Sequence, residues 1–187
     1  YESRWPTRLQ ERLGSDYLVI PEGLNGRTTA FDDPLVPDRS GVDYLPMVLA
    51  SHKPLDLVVI MLGTNDVKRY FAVSADQIAI AMERLVSTIL HSEAGPEERA
   101  PKVLMVAPVP LGPLDEEMRP HFAPEEEALT KSRALAPAYR RVAEAQGVAF
   151  FDASTAVPAA GGDGVHLDEE GHRRLGDALA ARVRELL

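Results

Sequence analysis

The chain has no cysteine among its 187 residues, which excludes disulfides and thiolate metal sites. No apolar stretch reaches the roughly 20 residues that would span a bilayer. Basic residues are the scarcer charge: 20 Lys and Arg stand against 29 Asp and Glu, for a net charge of -9. Such a surface repels polyanions on approach, so nucleic acid is not an expected partner. Low-complexity tracts and internal repeats are also absent, which removes the disordered and solenoid classes. There is no initiator Met, and the chain opens Tyr1-Glu2-Ser3-Arg4-Trp5. Lack of cysteine suits either side of a membrane; the expectation is a cytoplasmic protein, with secretion or a periplasmic location left open.

What is present is the composition of an ordinary globular protein, 45% hydrophobic and 26% charged with 15 prolines, at a length that suits one domain spanning residues 1–187. Short β-like apolar runs alternate with longer amphipathic ones. Residues 9–13 close a first helix that Gly14 ends, and residues 17–20 read as a short strand. Residues 43–52 read as a helix that stops before Lys53-Pro54, because proline pushes its predecessor out of the α region. Residues 55–62 form a near-continuous apolar run, the pattern of a strand buried on both faces. Ser74 and Gln77 make a capping box, opening a helix whose Ile78, Met82, Leu85 and Ile89 share one face. Residues 103–107 and 148–151 read as strands, 128–146 as a helix kinked at Pro137, and 168–187 as the closing helix. This alternation implies a parallel sheet covered by helices on both sides.

Ligands bind outside the carboxyl ends of the strands in such a sheet. The loops to inspect are therefore residues 21–31, 63–71 and 153–166, with the proline-rich residues 108–124 as a wall or contact surface. Gly63-Thr64-Asn65-Asp66 follows the apolar run at 55–62. Its Asn65 carboxamide stands where an N–H can meet a developing oxyanion, although an Asx-type turn explains the same four residues. Asp163-Gly164-Val165-His166 places a carboxylate three residues before an imidazole. One tight turn can set the carboxylate on one ring nitrogen and leave the other as a base, although a cap-and-turn pair also fits. Asp168 follows as an N-cap. A serine nucleophile would complete the chemistry, yet none of the nine serines (3, 15, 40, 51, 74, 87, 92, 132, 154) sits in a strand-to-turn context that would present an activated hydroxyl.

Residues 22–29 (Glu-Gly-Leu-Asn-Gly-Arg-Thr-Thr), 55–66, 150–153 and 163–167 together resemble the SGNH (GDSL) hydrolases, in particular their small arylesterases and acyltransferases, over essentially the whole chain. The resemblance implies a three-layer α/β/α sandwich with a flavodoxin-like parallel sheet in strand order 2-1-3-4-5. It implies a serine esterase for small acyl or aryl esters, with acyl transfer to alcohols or peroxide as side activities, no cofactor or metal, and a homo-oligomer. Gly26 matches the glycine whose backbone N–H helps form the oxyanion hole and Asn65 the second donor. Asp163 and His166 match the dyad that serves the serine. The Gly-Asp-Ser block, with the first central strand, is missing, so roughly thirty residues are expected upstream, in an omitted segment, a bound cleaved fragment or another chain. Without that strand, residues 17–20 and 55–62 lack the neighbour between them, and unpaired backbone and exposed apolar faces are expected.

Two other classes fit parts of the pattern. A non-catalytic ester or glycan binder accounts for the missing nucleophile, and a metal-dependent phosphoesterase would use Asp66, Asp163 and His166, which is thin for a metal site. Among the remaining residues, His52 and His91 read as helix C-terminal cations, His172 as solvated, His121 as an exposed loop residue or one that lines a pocket, and Trp5 as packing the first helix on the sheet. Tyr44, Tyr70 and Phe71 fit core and pocket wall equally. The acidic runs at 115–117 and 125–127 read as solvated faces, the second also suiting a helix N-terminus.

Overall fold

A computed structural model of the chain describes residues 3–187. Three parallel strands carry the fold: β1 (Leu57–Ile60), β2 (Lys102–Ala107) and β3 (Ala149–Asp152), in the order β1-β2-β3. Val58 stands opposite Val103, and Leu104 opposite Ala149. Side chains alternate across the sheet, so each strand feeds two cores. On one face Val58, Ile60, Val103, Met105 and Phe150 pack beneath α2 (Gly41–His52), α3 (Ala75–Leu90) and α5 (Glu125–Gln146). On the other, Leu57, Val59, Leu104, Val106 and Phe151 pack beneath α1 (Trp5–Leu13) and α6 (Glu169–Leu186). This is the three-layer α/β/α arrangement; α4 (Arg119–Phe122) is a single turn in the long connection between β2 and α5.

Local chemistry explains most element boundaries. The Ser74 hydroxyl oxygen accepts the Gln77 amide and the Gln77 side-chain carbonyl accepts the Ser74 amide. The helix they open buries Ile78, Met82, Leu85 and Ile89 almost completely. Gly14, at φ 85°, ends α1. Three glutamates occupy the first turn of α5, where the helix dipole favours negative charge. That helix starts at residue 125 rather than 128 and runs through Pro137 to a left-handed Gly147.

Two strand readings need correction, while the unpaired edge expected at residues 55–62 and the exposed apolar side chains expected at residues 17–20 are found among the described residues. The strand buried on both faces is β2, all of which except Lys102 is buried; in β1 only Ile60 is buried. The reason is position in the sheet: β2 has a ladder on each side, whereas β1 pairs only with β2 among the described residues. Residues 17–20 are not a strand. A strand needs a neighbour to bond its backbone, and here the Gln10 side chain takes that place, donating to the Tyr17 carbonyl at 2.9 Å and accepting from the Val19 amide at 2.7 Å. Leu18 is 83% exposed.

Candidate active site

The parallel topology sends the segments after β1, β2 and β3 out at the same, carboxyl end of the sheet. The turn at residues 163–166 lies in the third of these. Asp163 Oδ1 accepts the backbone amides of Val165 and His166, each at 2.8 Å, and Oδ2 lies 2.6 Å from His166 Nδ1. Burial pushes the Asp163 carboxyl up, but the imidazole and the two amides outweigh it and hold the group at about 2, so it is a carboxylate throughout the neutral range. A carboxylate on Nδ1 selects the tautomer with a free Nε2 lone pair. Nε2 has no hydrogen bond among the described residues, and the imidazole is 63% exposed.

A strap after β2 holds this turn in place. The Gly112 amide donates to the Gly164 carbonyl at 2.9 Å and the Asp115 amide to the Asp163 carbonyl at 3.2 Å. Gly164 sits at φ 83°, and a Cβ there would collide with the Pro113 carbonyl; only glycine combines that conformation with that approach. The proline-rich stretch is thus the backing of the turn. His121 is exposed, as expected.

Asn65 opens a 3-10 turn after β1. Its carboxamide Nδ2 donates to the Arg27 carbonyl at 3.0 Å, which occupies one of its two N–H groups and leaves the second. Arg27 follows Gly26, so this bond ties Asn65 to the segment that carries Gly26. Gly26 has φ 80°, and its amide donates to nothing among the described residues. Gly63, at φ 119°, lets the chain pass under the Tyr139 hydroxyl, which donates to the Leu62 carbonyl at 3.0 Å.

Asp66 is wholly buried. The Thr29 amide donates to both its carboxylate oxygens, at 3.0 and 3.2 Å, and the Thr29 hydroxyl donates to Oδ1. Burial pushes this carboxyl up from the usual range, against the Thr29 bonds. With both oxygens turned to Thr29 inside the fold, Asp66 does not join Asp163 and His166 as a ligand set, and the phosphoesterase arrangement loses its third member.

Several side chains prove to hold the loops. His52 Nε2 lies 2.7 Å from Glu22 Oε1, and the Tyr44 hydroxyl donates to Oε2 at 3.0 Å; both contacts hold the Glu22 carboxyl below its ordinary range, that of His52 most. Arg27 lies 4.0 Å over the Tyr44 ring and donates to the Glu22 carbonyl. The Tyr70 hydroxyl donates to buried Asp33 at 2.9 Å, and Phe71 packs on Phe31. His52, read as a helix-end cation, anchors a loop through its contact with Glu22. His172 is half-buried rather than solvated: its Nδ1 accepts the Trp5 amide at 3.3 Å, and burial lowers its pKa. Thr29, Arg27 and Glu22 carried no signal for these roles beyond lying in the glycine-containing stretch, because their partners are distant in the chain.

No serine among the described residues is hydrogen-bonded to His166. Ser132 is buried and bonded to Leu111 and Leu129, and Ser74 caps α3.

Residues 1–174 match the GDSL-like lipase/acylhydrolase family. The fold is similar to that of an aryl esterase from M. smegmatis, with 45% identity and a TM-score of 0.93 over 100% of this chain and 86% of that one. It is equally similar to a carbohydrate acetylesterase from Sinorhizobium meliloti, at 44% identity and TM-score 0.94, covering 100% and 87%. An acetylxylan esterase from Xylanibacter ruminicola is 25% identical over 198 residues, and this chain spans 96% of its own length but 38% of that relative's.

Proposed function

The chain belongs to the GDSL-like lipase/acylhydrolase family, and from that premise we propose that it serves a carboxylic ester hydrolase that removes small acyl groups from aryl or carbohydrate alcohols. The observation that carries this reading is Asp163 at 2.6 Å from His166 Nδ1, with the opposite ring nitrogen free. That is the orientation a general base needs. Esterases similar to this chain act, by their names, on aryl and carbohydrate acetyl esters, which supports the substrate class.

In the mechanism, a serine hydroxyl from outside residues 1–187 attacks the ester carbonyl while His166 Nε2 takes its proton. Asp163 stabilises the imidazolium that results. The oxyanion is held by the second Asn65 N–H and the Gly26 amide, donors of a kind worth about 2.7–4 kcal/mol each. Collapse of the intermediate breaks the bond to the alkoxy oxygen, which leaves with the proton from His166. Water then attacks the acyl-serine by the same route, and an alcohol or peroxide in its place gives acyl transfer. We place the serine on a strand that pairs with the open edge of β1, and expect the native protein to be a homo-oligomer.

Intact-mass spectrometry of the native protein before and after a fluorophosphonate tests this. One adduct on a species that contains this chain together with an added serine-bearing segment supports it. An unlabelled, inactive native protein favours the alternative of an ester-binding protein without a nucleophile.

A further inference from the structure

The ester chemistry gives Asp66 no task, yet it is a carboxylate kept wholly away from water. Burying such a group is unfavourable unless its oxygens are well bonded. Lys68, two residues on, pairs with Asp33 instead, at 3.5 Å. The partner of Asp66 is Thr29, which gives it both its amide and its hydroxyl. A carboxylate suits that pair of donors because it accepts at two oxygens and donates nothing.

The placement of this contact matters more than its strength. Thr29 lies three residues after Gly26, and Asp66 directly follows Asn65. The segments 26–29 and 65–66 therefore touch at two points, Asn65 on the Arg27 carbonyl and Asp66 on Thr29. One hydrogen bond leaves two loops free to pivot about it, whereas two separated bonds fix their relative orientation. The far side of the segment is held too. The Thr28 and Thr29 carbonyls accept the Gly41 and Val42 amides at the start of α2, at 3.2 and 3.0 Å. A Cβ on residue 41 would lie 2.8 Å from the Thr28 oxygen and 2.9 Å from that of Thr29, so the clamp closes only on glycine.

We propose that Asp66 is a positioning residue: its grip on Thr29 fixes the Gly26 amide against the Asn65 carboxamide, so that both donors converge on one oxyanion. The kinetic consequence rests on the ester-hydrolase reading; the brace itself does not. Geometry at an oxyanion site is unforgiving, since a displacement on the order of 1 Å can cost about a hundredfold in rate.

The test is Thr29→Val, Thr29→Ser and Asp66→Asn in the full-length protein, with steady-state hydrolysis of p-nitrophenyl acetate and the Asn65 side-chain amide signal in a 1H–15N spectrum. Thr29→Val keeps the shape and removes one donor. It is expected to lower kcat about tenfold or more with KM within about twofold, and to move the Asn65 signal. Thr29→Ser, which keeps the hydroxyl, is expected to restore both. Asp66→Asn, which must turn an N–H toward the Thr29 amide, is expected to behave like Thr29→Val and stands in for it if the valine variant does not fold. An unchanged kcat and Asn65 signal in the folded loss-of-donor variants would overturn the proposal, as would a serine variant as impaired as the valine one. If the parent protein does not hydrolyse the ester the hydrolase reading fails instead, and if His166→Ala stays fully active its general-base role fails; in both cases the Asn65 signal still decides the brace.

Discussion

The two halves of the candidate site are built in opposite ways. The dyad is local: Asp163 meets His166 across three residues, in a turn whose imidazole is 63% exposed. The donor half is long-range: Asn65 reaches Arg27 across 38 positions and Asp66 reaches Thr29 across 37, the latter wholly out of water. On the proposed hydrolase reading the exposed half would pass protons between the reacting groups, and its imidazole packs against little of the core. In the other half Thr29 and Asp66 are buried while Gly26 and Asn65 are half-buried, so loss of the Asp66 carboxylate would leave buried donors without a partner. Proton transfer and charge stabilisation make these different demands, because a base must be reachable whereas an oxyanion site must be preorganised.

Substitutions that separate activity from stability sharpen that contrast. The largest effect is expected from His166→Ala in the complete enzyme, with kcat lower by about four to six orders of magnitude and Tm within about 2 °C of the parent, since the side chain is exposed. Asn65→Ala is expected to lower kcat by about a hundred- to a thousandfold while KM changes little. Asp66→Ala strips the partners from a buried amide and hydroxyl. A loss of about 3 kcal/mol, or a Tm lower by about 6–12 °C, is expected in thermal unfolding. A stable Asp66→Ala would erase the distinction between the halves.

The smallest effect concerns acid. Asp163 is held at about 2 in the fold, below the value of about 3.9 for a free aspartate. A depressed pKa adds stability that is complete above the unfolded value and vanishes as pH falls through the folded one. The difference in unfolding free energy between the parent and Asp163→Asn should therefore be flat from pH 7 to about 4 and shrink between about 4 and 2. A difference that persists below pH 2 would show that Asp163 acts by packing rather than charge.

The contrast also explains what was readable beforehand. Asp163 and His166 were legible because an Asx-type turn and a ring contact need nothing beyond the residues between them. The Ser74 and Gln77 capping box and the apolar face of α3 were legible for the same reason, as contacts within one or two turns. Asn65 was legible as a residue but not as a geometry, since its orientation depends on the Arg27 carbonyl. Thr29 gave no hint of its partner, and Asp66 looked like a turn residue or a metal ligand. Residues 17–20 have the composition of a strand, yet composition does not supply a neighbouring ladder, and Gln10 bonds them instead.

By itself, then, the order of residues determined most of the alternation of helix and strand, the Gly14 end of α1, the capped start of α3 and the dyad turn, because periodicity and short-range hydrogen bonds decide these. Tertiary structure alone decided that His52 anchors Glu22 and that Thr29 closes on Asp66. Each of those depends on which distant surfaces three packed layers bring within bonding distance, and no stretch of a dozen residues contains that information.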